Sequence, residues 1–232
     1  MEHQFWNDRW ELNQIGFHQE AINAYLESHW QELGLADNAP VFVPLCGKSL
    51  DMLWLREQGH SVLGIELSEL ALEQFFTENQ LPVTRYQQGE FACFQADQLR
   101  LLAGDFFKLT AEDIAPIEAV YDRASLIALP PEMRVDYARH MAQLLPEGAH
   151  ILLISLEYED GMLKGPPFCV REAEVQQLFS EWFKVTRQGR FEGVWAKKKP
   201  ATEVVYTLTR NSTNPAHKTN SKEAKPPASH EA

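Results

Sequence analysis

Apolar positions along the chain change period repeatedly. Ile22, Tyr25, Leu26, His29, Trp30 and Leu33 recur at steps of three and four, predicting an amphipathic helix over Glu20–Leu33. Asn38-Ala39-Pro40 interrupts it, and the β-favouring run Val41-Phe42-Val43 reads as a short buried strand. Ser49–Gln58 is predicted helical, with Leu50, Leu53 and Trp54 on one face and Gly59 as its stop. Ser61–Leu67 is a second predicted strand, after which Ser68 is expected to cap a helix running through Asn79.

Further on, the turn-like Gln87-Gln88-Gly89-Glu90 predicts a hairpin over Thr84–Asp97, and Leu99–Leu102 a strand that stops at Gly104-Asp105. Ile117–Tyr121 and Ile151–Leu156 are predicted strands on either side of a helix opened by Pro130-Pro131 and running to Leu145. A helix over Arg171–Trp182 precedes two more strands, Val185–Gly193 and Glu203–Thr209. Short, wholly apolar strands alternating with helices specify an α/β fold, a mostly parallel sheet covered by helices on both faces. The last two strands lack a helix between them and predict an antiparallel addition at the sheet's end. One domain over residues 1–210 is expected. From Asn211 to Ala232 no large apolar residue occurs, so this stretch is expected to be a disordered tail.

Composition narrows the partners. Of 232 residues, 44% are hydrophobic, enough for a sizeable core, and the formal net charge is −12. Such a chain is repelled by nucleic-acid phosphates and anionic membranes, so neither is an expected partner. Three scattered cysteines without CxxC spacing, and histidines without HxxxH spacing, point away from a bound metal and toward idle thiols in a reducing cytoplasm. The acidic start of the chain does not read as a signal peptide, and no apolar run approaches the length of a membrane span.

In doubly wound sheets a ligand lies outside the carboxyl ends of the strands. Those ends here are Pro44-Leu45-Cys46-Gly47, Glu66-Leu67-Ser68, Asp105-Phe106 and Asp122-Arg123. Glu66 follows the first turn by about 20 residues, the spacing of an acid that accepts hydrogen bonds from a nucleoside's ribose hydroxyls. Gly47 stands alone where a pyrophosphate loop carries three glycines, and Phe42 stands where a Walker A loop needs its first. A ribose acid without a phosphate cradle suits S-adenosylmethionine, whose sulfonium is stabilised by aromatic faces such as those of Phe5, Trp6 and Trp10.

Taken in order, Phe5-Trp6…Trp10, Val43-Pro44-Leu45-Cys46-Gly47-Lys48-Ser49-Leu50-Asp51-Met52, Gly64-Ile65-Glu66-Leu67-Ser68, Gly104-Asp105-Phe106-Phe107 and Tyr121-Asp122-Arg123 resemble the bacterial thiopurine S-methyltransferase family. The resemblance spans about Glu2 to Arg210 and implies a class I methyltransferase fold with an N-terminal helical cover. It also implies methyl transfer from S-adenosylmethionine to an aromatic or heterocyclic thiol. The displacement is expected to be direct and in-line and, because a heteroaromatic thiol loses its proton readily, to need no catalytic base; the protein is expected to be a monomer. Carried over, the cofactor contacts fall on Trp10, Leu45, Glu66 and Arg123, with Asp105 and Phe106 beside the adenine and Phe17 near the acceptor. Animal members place a substrate-facing arginine after Phe-Glu-Glu; here Phe191-Glu192 is followed by Gly193-Val194-Trp195, so contacts from that region are expected to differ. Two alternatives stay open: an inorganic selenium or tellurium acceptor, and a module that binds S-adenosylmethionine without turnover. For Arg123, a salt bridge with Asp122 or another acid competes with a role at the cofactor pocket.

Overall fold

The computed structural model describes residues 3–212. In chain order its elements are α1 (His3–Glu11), α2 (Ala24–His29), β1 (Val41–Val43), α3 (Asp51–Glu57), β2 (Val62–Glu66), α4 (Glu69–Glu78), β3 (Thr84–Gln88), β4 (Phe91–Ala96) and β5 (Leu99–Ala103). There follow α5 (Ala111–Ile114), β6 (Ala119–Arg123), α6 (Pro131–Leu144), β7 (His150–Glu157), α7 (Glu172–Phe179), β8 (Phe183–Ala196) and β9 (Lys199–Arg210). Among the described residues the strands form one sheet, ordered β3-β4-β5-β2-β1-β6-β7-β9-β8. The central five, β5-β2-β1-β6-β7, run parallel. The chain leaves β1 toward β2 and β5, then returns to β1's other side at β6, so β1 marks the switch point where such sheets take a ligand.

Both edges are antiparallel. The β8–β9 hairpin adds to β7 as expected for the late strands, and the β3–β4 hairpin extends the opposite edge. Two cores flank the sheet. Phe42, Val120, Ile151 and Leu153 meet α5, α6 and α7 through Ile114, Tyr137 and Val175. Val41, Val43, Tyr121, Leu152 and Ile154 meet α2, α3 and α4 through Leu26, Met52 and Leu72. This is the two-period burial expected when alternate strand residues face opposite helical layers.

Several local expectations change. The helix predicted over Glu20–Leu33 begins only at Ala24, because the Asn23 side chain accepts the Tyr25 and Leu26 N–H groups, and it tightens into a 3₁₀ turn over Trp30–Leu33. Ser68 occupies the N-cap of α4 but makes no side-chain cap; its own N–H donates to Glu66 Oε1 at 2.9 Å. Strands β8 and β9 run past the predicted ends to a turn at Lys197-Lys198. The tail expected from Asn211 lies, from residue 213 on, outside the described residues, and so do Met1 and Glu2. No helix among the described residues is long and apolar enough to cross a membrane.

Candidate active site

At the carboxyl ends of β1, β2, β5 and β6 lies a cavity of about 340 Å³. Trp10, Leu45, Glu66 and Arg123 all line it, as do Phe17, Asp105 and Phe106. Contributions from five separate chain segments thus meet at the switch point.

Glu66 ends β2 and is only 7% exposed. Its Oε2 accepts the Gly47 N–H and its Oε1 the Ser68 N–H, both at 2.9 Å, so it ties the loop after β1 to the start of α4. Burial pushes its carboxyl up, while these backbone donors and the Trp10 indole pull the other way. A carboxylate has about four lone-pair sites; the Gly47 and Ser68 N–H groups fill two and the Trp10 indole is directed at the same group, which leaves room for a ribose hydroxyl donor. Gly47 adopts φ +52°, and a Cβ there would approach the Trp10 ring to 3.2 Å; the glycine thus lets the loop turn beneath Trp10. At Gly64 of β2 a Cβ would meet Cys46 Sγ at 2.8 Å, which explains how the Cys46 side chain seats against the sheet.

The donor set tests which nucleoside suits the cavity. The Gly47 N–H, the kind of group that points at an anion in a phosphate-binding loop, is spent on Glu66. The Lys48 ammonium pairs with Glu78 at 2.7 Å. What remains is an acid, an apolar loop and an aromatic cover, in which Phe17 packs edge-on against Trp6 and Trp10 at 5.8 and 5.5 Å. These residues fit a phosphate-free nucleoside with a cationic sulfur.

Arg123 ends β6 and donates through Nη2 to the Phe17 carbonyl at 3.5 Å. The salt bridge with Asp122 does not form, because successive strand residues face opposite sides of the sheet. Asp122 instead accepts Tyr137 Oη at 2.7 Å and the Leu126 N–H at 3.2 Å, and Ser125 Oγ donates to the Pro44 carbonyl at 2.7 Å. Together they lock the β6 loop to the β1 loop. Asp105 accepts the Phe107 N–H and faces His3 at 3.4 Å. Phe106 lines the cavity while its ring also packs against Phe42, Tyr137 and His140, and the half-buried Phe107 borders the cavity beside it.

Asp122 offers a pH test of this loop. Burial raises its carboxyl to about 6 despite the hydrogen bonds it accepts. The folded state therefore binds the proton more tightly than the unfolded state, and stability falls as pH rises from about 4 through about 6. Asp122→Asn is expected to remove that slope: relative to the variant, the wild type loses about 3 kcal/mol over this window. Urea denaturation across the pH range checks it, and parallel curves contradict it.

Two cavity residues escape the pattern of strand ends and motifs. Ser155, in the most apolar strand, lines the cavity fully buried, with its Oγ lacking a hydrogen bond of normal geometry. Glu203 of β9 is half-buried at the same cavity. A lone serine within Ile151–Leu156 was a signal for the first; nothing local marks the second. Among the described residues no group of three or more His, Cys, Asp or Glu is placed to hold a metal.

Comparison with known proteins agrees with this geometry. A family model described as thiopurine S-methyltransferase matches residues 1–213. The chain is 53% identical over 182 residues to the thiopurine S-methyltransferase of Pseudomonas entomophila, covering 78% of this chain and 84% of that one. It is 43% identical over 218 residues to that of Marinobacter nauticus, covering 90% and 100%. Among solved structures, 1,6-didemethyltoxoflavin-N1-methyltransferase of Burkholderia thailandensis, holding S-adenosylhomocysteine, matches with a TM-score of 0.65 at 18% identity, over 90% of this chain and 87% of that chain. Magnesium protoporphyrin IX methyltransferase of Synechocystis, also with S-adenosylhomocysteine, gives 0.62 at 14%, over 90% and 100%. At such identities the structural likeness is one of fold. The chain belongs to the thiopurine S-methyltransferase family, built on the class I methyltransferase fold.

Proposed function

We propose that this protein methylates the sulfur of aromatic or heterocyclic thiols, with S-adenosylmethionine as donor and Trp10, Leu45, Glu66 and Arg123 as its contacts. The observation that carries this is the cavity at the switch point, which combines a buried ribose-type acid with loop N–H groups already engaged within the protein. Calorimetric titration tests it: S-adenosylhomocysteine is expected to bind at one site, with no heat from NAD or ATP. Binding of NAD in its place contradicts the assignment.

S-Adenosylmethionine supplies, when bound, a methyl group on a positive sulfur that leaves readily. The protein's share is orientation and exclusion of water, which account for much of the barrier in such a displacement. Trp6, Trp10 and Phe17 cover the cavity with aromatic surface. Heteroaromatic thiols ionise readily, so Arg123 is assigned to attract the thiolate and hold it toward the cofactor side. The aromatic lining favours a flat ring over an inorganic selenium or tellurium species. Cys46 lines the cavity, but burial and Glu66 hold its thiol well above the usual range, so it serves packing. The three thiols are unpaired, which supports a reducing, cytoplasmic setting.

Arg123→Ala is expected to lower kcat/KM for a thiol acceptor by about 1–3 kcal/mol through loss of a charge-assisted contact. Steady-state kinetics with 6-mercaptopurine measures this, and an unchanged value removes Arg123 from the site.

A further inference from the structure

In the same cavity as Arg123 stands a carboxylate without a role in the transfer so far described. Glu203 pairs in register with Leu156 of β7 and Phe191 of β8, while Arg123 pairs with Ile154 of β7. Tyr121 and Val205, each two residues from one of them, belong to the core beneath α2, so Arg123 and Glu203 share that face. With β7 between their strands and two residues of stagger along it, their side chains start about 12 Å apart. Among the described residues no hydrogen bond or salt bridge joins them, although both line the cavity and the guanidinium pulls the Glu203 carboxyl down against the effect of burial. Other groups near Glu203 include the Tyr25 and Tyr121 phenols, raised chiefly by burial and to a lesser degree by its charge, and Gln19 and Glu20 along an adjoining groove. Lys197 at the β8–β9 turn lines the same cavity, but among the described residues no cation forms a salt bridge with Glu203. The sheet thus holds a half-buried cation and a half-buried anion on one face, both lining the cavity and neither paired with the other. The partners that complete them belong to a ligand: an anion for Arg123 and an N–H donor for Glu203.

We infer that Glu203 is a specificity residue for the methyl acceptor, admitting thiols whose ring carries an N–H donor and turning away thiols that carry a second anionic group. This rests on the methyl-transfer reading above. The thiolate takes its place by Arg123, the ring N–H meets Glu203, and a carboxylate on the ring meets like charge. Selectivity then comes from repulsion as much as from attraction.

Glu203→Gln tests the inference, since it keeps the side chain's shape and one acceptor oxygen but removes the charge. Two acceptors are compared by kcat/KM: 6-mercaptopurine, with ring N–H, and 2-mercaptobenzoate, with a ring carboxylate. For the variant, mercaptopurine is expected to fall about tenfold, through KM, and mercaptobenzoate to rise about tenfold, so that their ratio changes about a hundredfold. A general disturbance of the fold lowers both and leaves the ratio in place, so a ratio altered by less than about threefold overturns the inference. If the wild type releases no S-adenosylhomocysteine with either thiol, the methyl-transfer reading has failed, and Glu203 is read from binding instead. Affinities of 6-(methylthio)purine and 2-(methylthio)benzoate for the protein with S-adenosylhomocysteine are then expected to shift in opposite directions on substitution. Equal shifts, or no wild-type preference between the two, overturn it.

Discussion

Glu66→Ala is expected to weaken S-adenosylhomocysteine binding by at least about a hundredfold, the equivalent of losing about 3 kcal/mol of charge-assisted hydrogen bonding. The site explains why the effect is large. The carboxylate faces the cavity and also accepts the Gly47 and Ser68 N–H groups, so its loss removes a ligand contact and releases both loops that frame it. The two stranded N–H groups are expected to lower stability as well, by about 1–3 kcal/mol, because unsatisfied buried donors are costly. Glu66→Gln, which keeps one acceptor oxygen, is expected to fall between, near tenfold in affinity. Calorimetry for affinity and urea denaturation for stability separate the two effects. Wild-type affinity in Glu66→Ala removes the ribose assignment.

Arg134→Ala is expected to be the most destabilising single change away from the cavity, by about 3–5 kcal/mol. Arg134, on α6, is 1% exposed; its Nε donates to the Leu129 carbonyl at 2.9 Å, and its Nη1 to the Cys169 carbonyl at 3.3 Å and to Glu174 at 2.5 Å. One side chain thereby joins the loop before α6, the segment before α7, and α7 itself. Truncation leaves two carbonyls without donors, a carboxylate without its cation, and a void where the aliphatic stem packed. For a chain of this size the midpoint of thermal unfolding is expected to fall by about 10 °C. Glu174→Gln keeps an acceptor oxygen and the Leu129 and Cys169 carbonyls still accept from Arg134, but the buried guanidinium loses its counter-ion, so this variant is expected to cost about 2 kcal/mol, less than Arg134→Ala. A loss below about 1 kcal/mol for Arg134→Ala contradicts the structural role.

The legible parts of this fold are those written in local pattern. Val41–Val43, Val62–Glu66 and Ile151–Leu156 are short apolar strands bounded by breakers, and the order in which they meet helices specifies the parallel centre. Glu66 was legible because its spacing from the first turn is a local quantity. The extent of β8 was not: register shifts at Arg187/Gly189 and Glu192/Val194 break the two-residue alternation, so the pattern ends early although the strand continues. The start of α2 was obscured by Ile22, which continues the helical spacing although Asn23 caps the helix after it. Phe106 and Phe107 are chemically equivalent neighbours, and only the packing of α6 decides that the first turns inward. Glu203 acquires its position solely from pairing with β7, some 47 residues earlier in the chain, which no local reading contains.

Transfer of a methyl group to sulfur in this cavity is open to direct measurement. It is tested most directly by incubating the full chain with S-adenosylmethionine carrying an isotopically labelled methyl group and 6-mercaptopurine, and following both products by mass spectrometry. Labelled 6-(methylthio)purine and S-adenosylhomocysteine are expected in equal amounts. S-Adenosylmethionine that binds and remains intact, with no labelled thioether formed from any thiol supplied, contradicts methyl transfer.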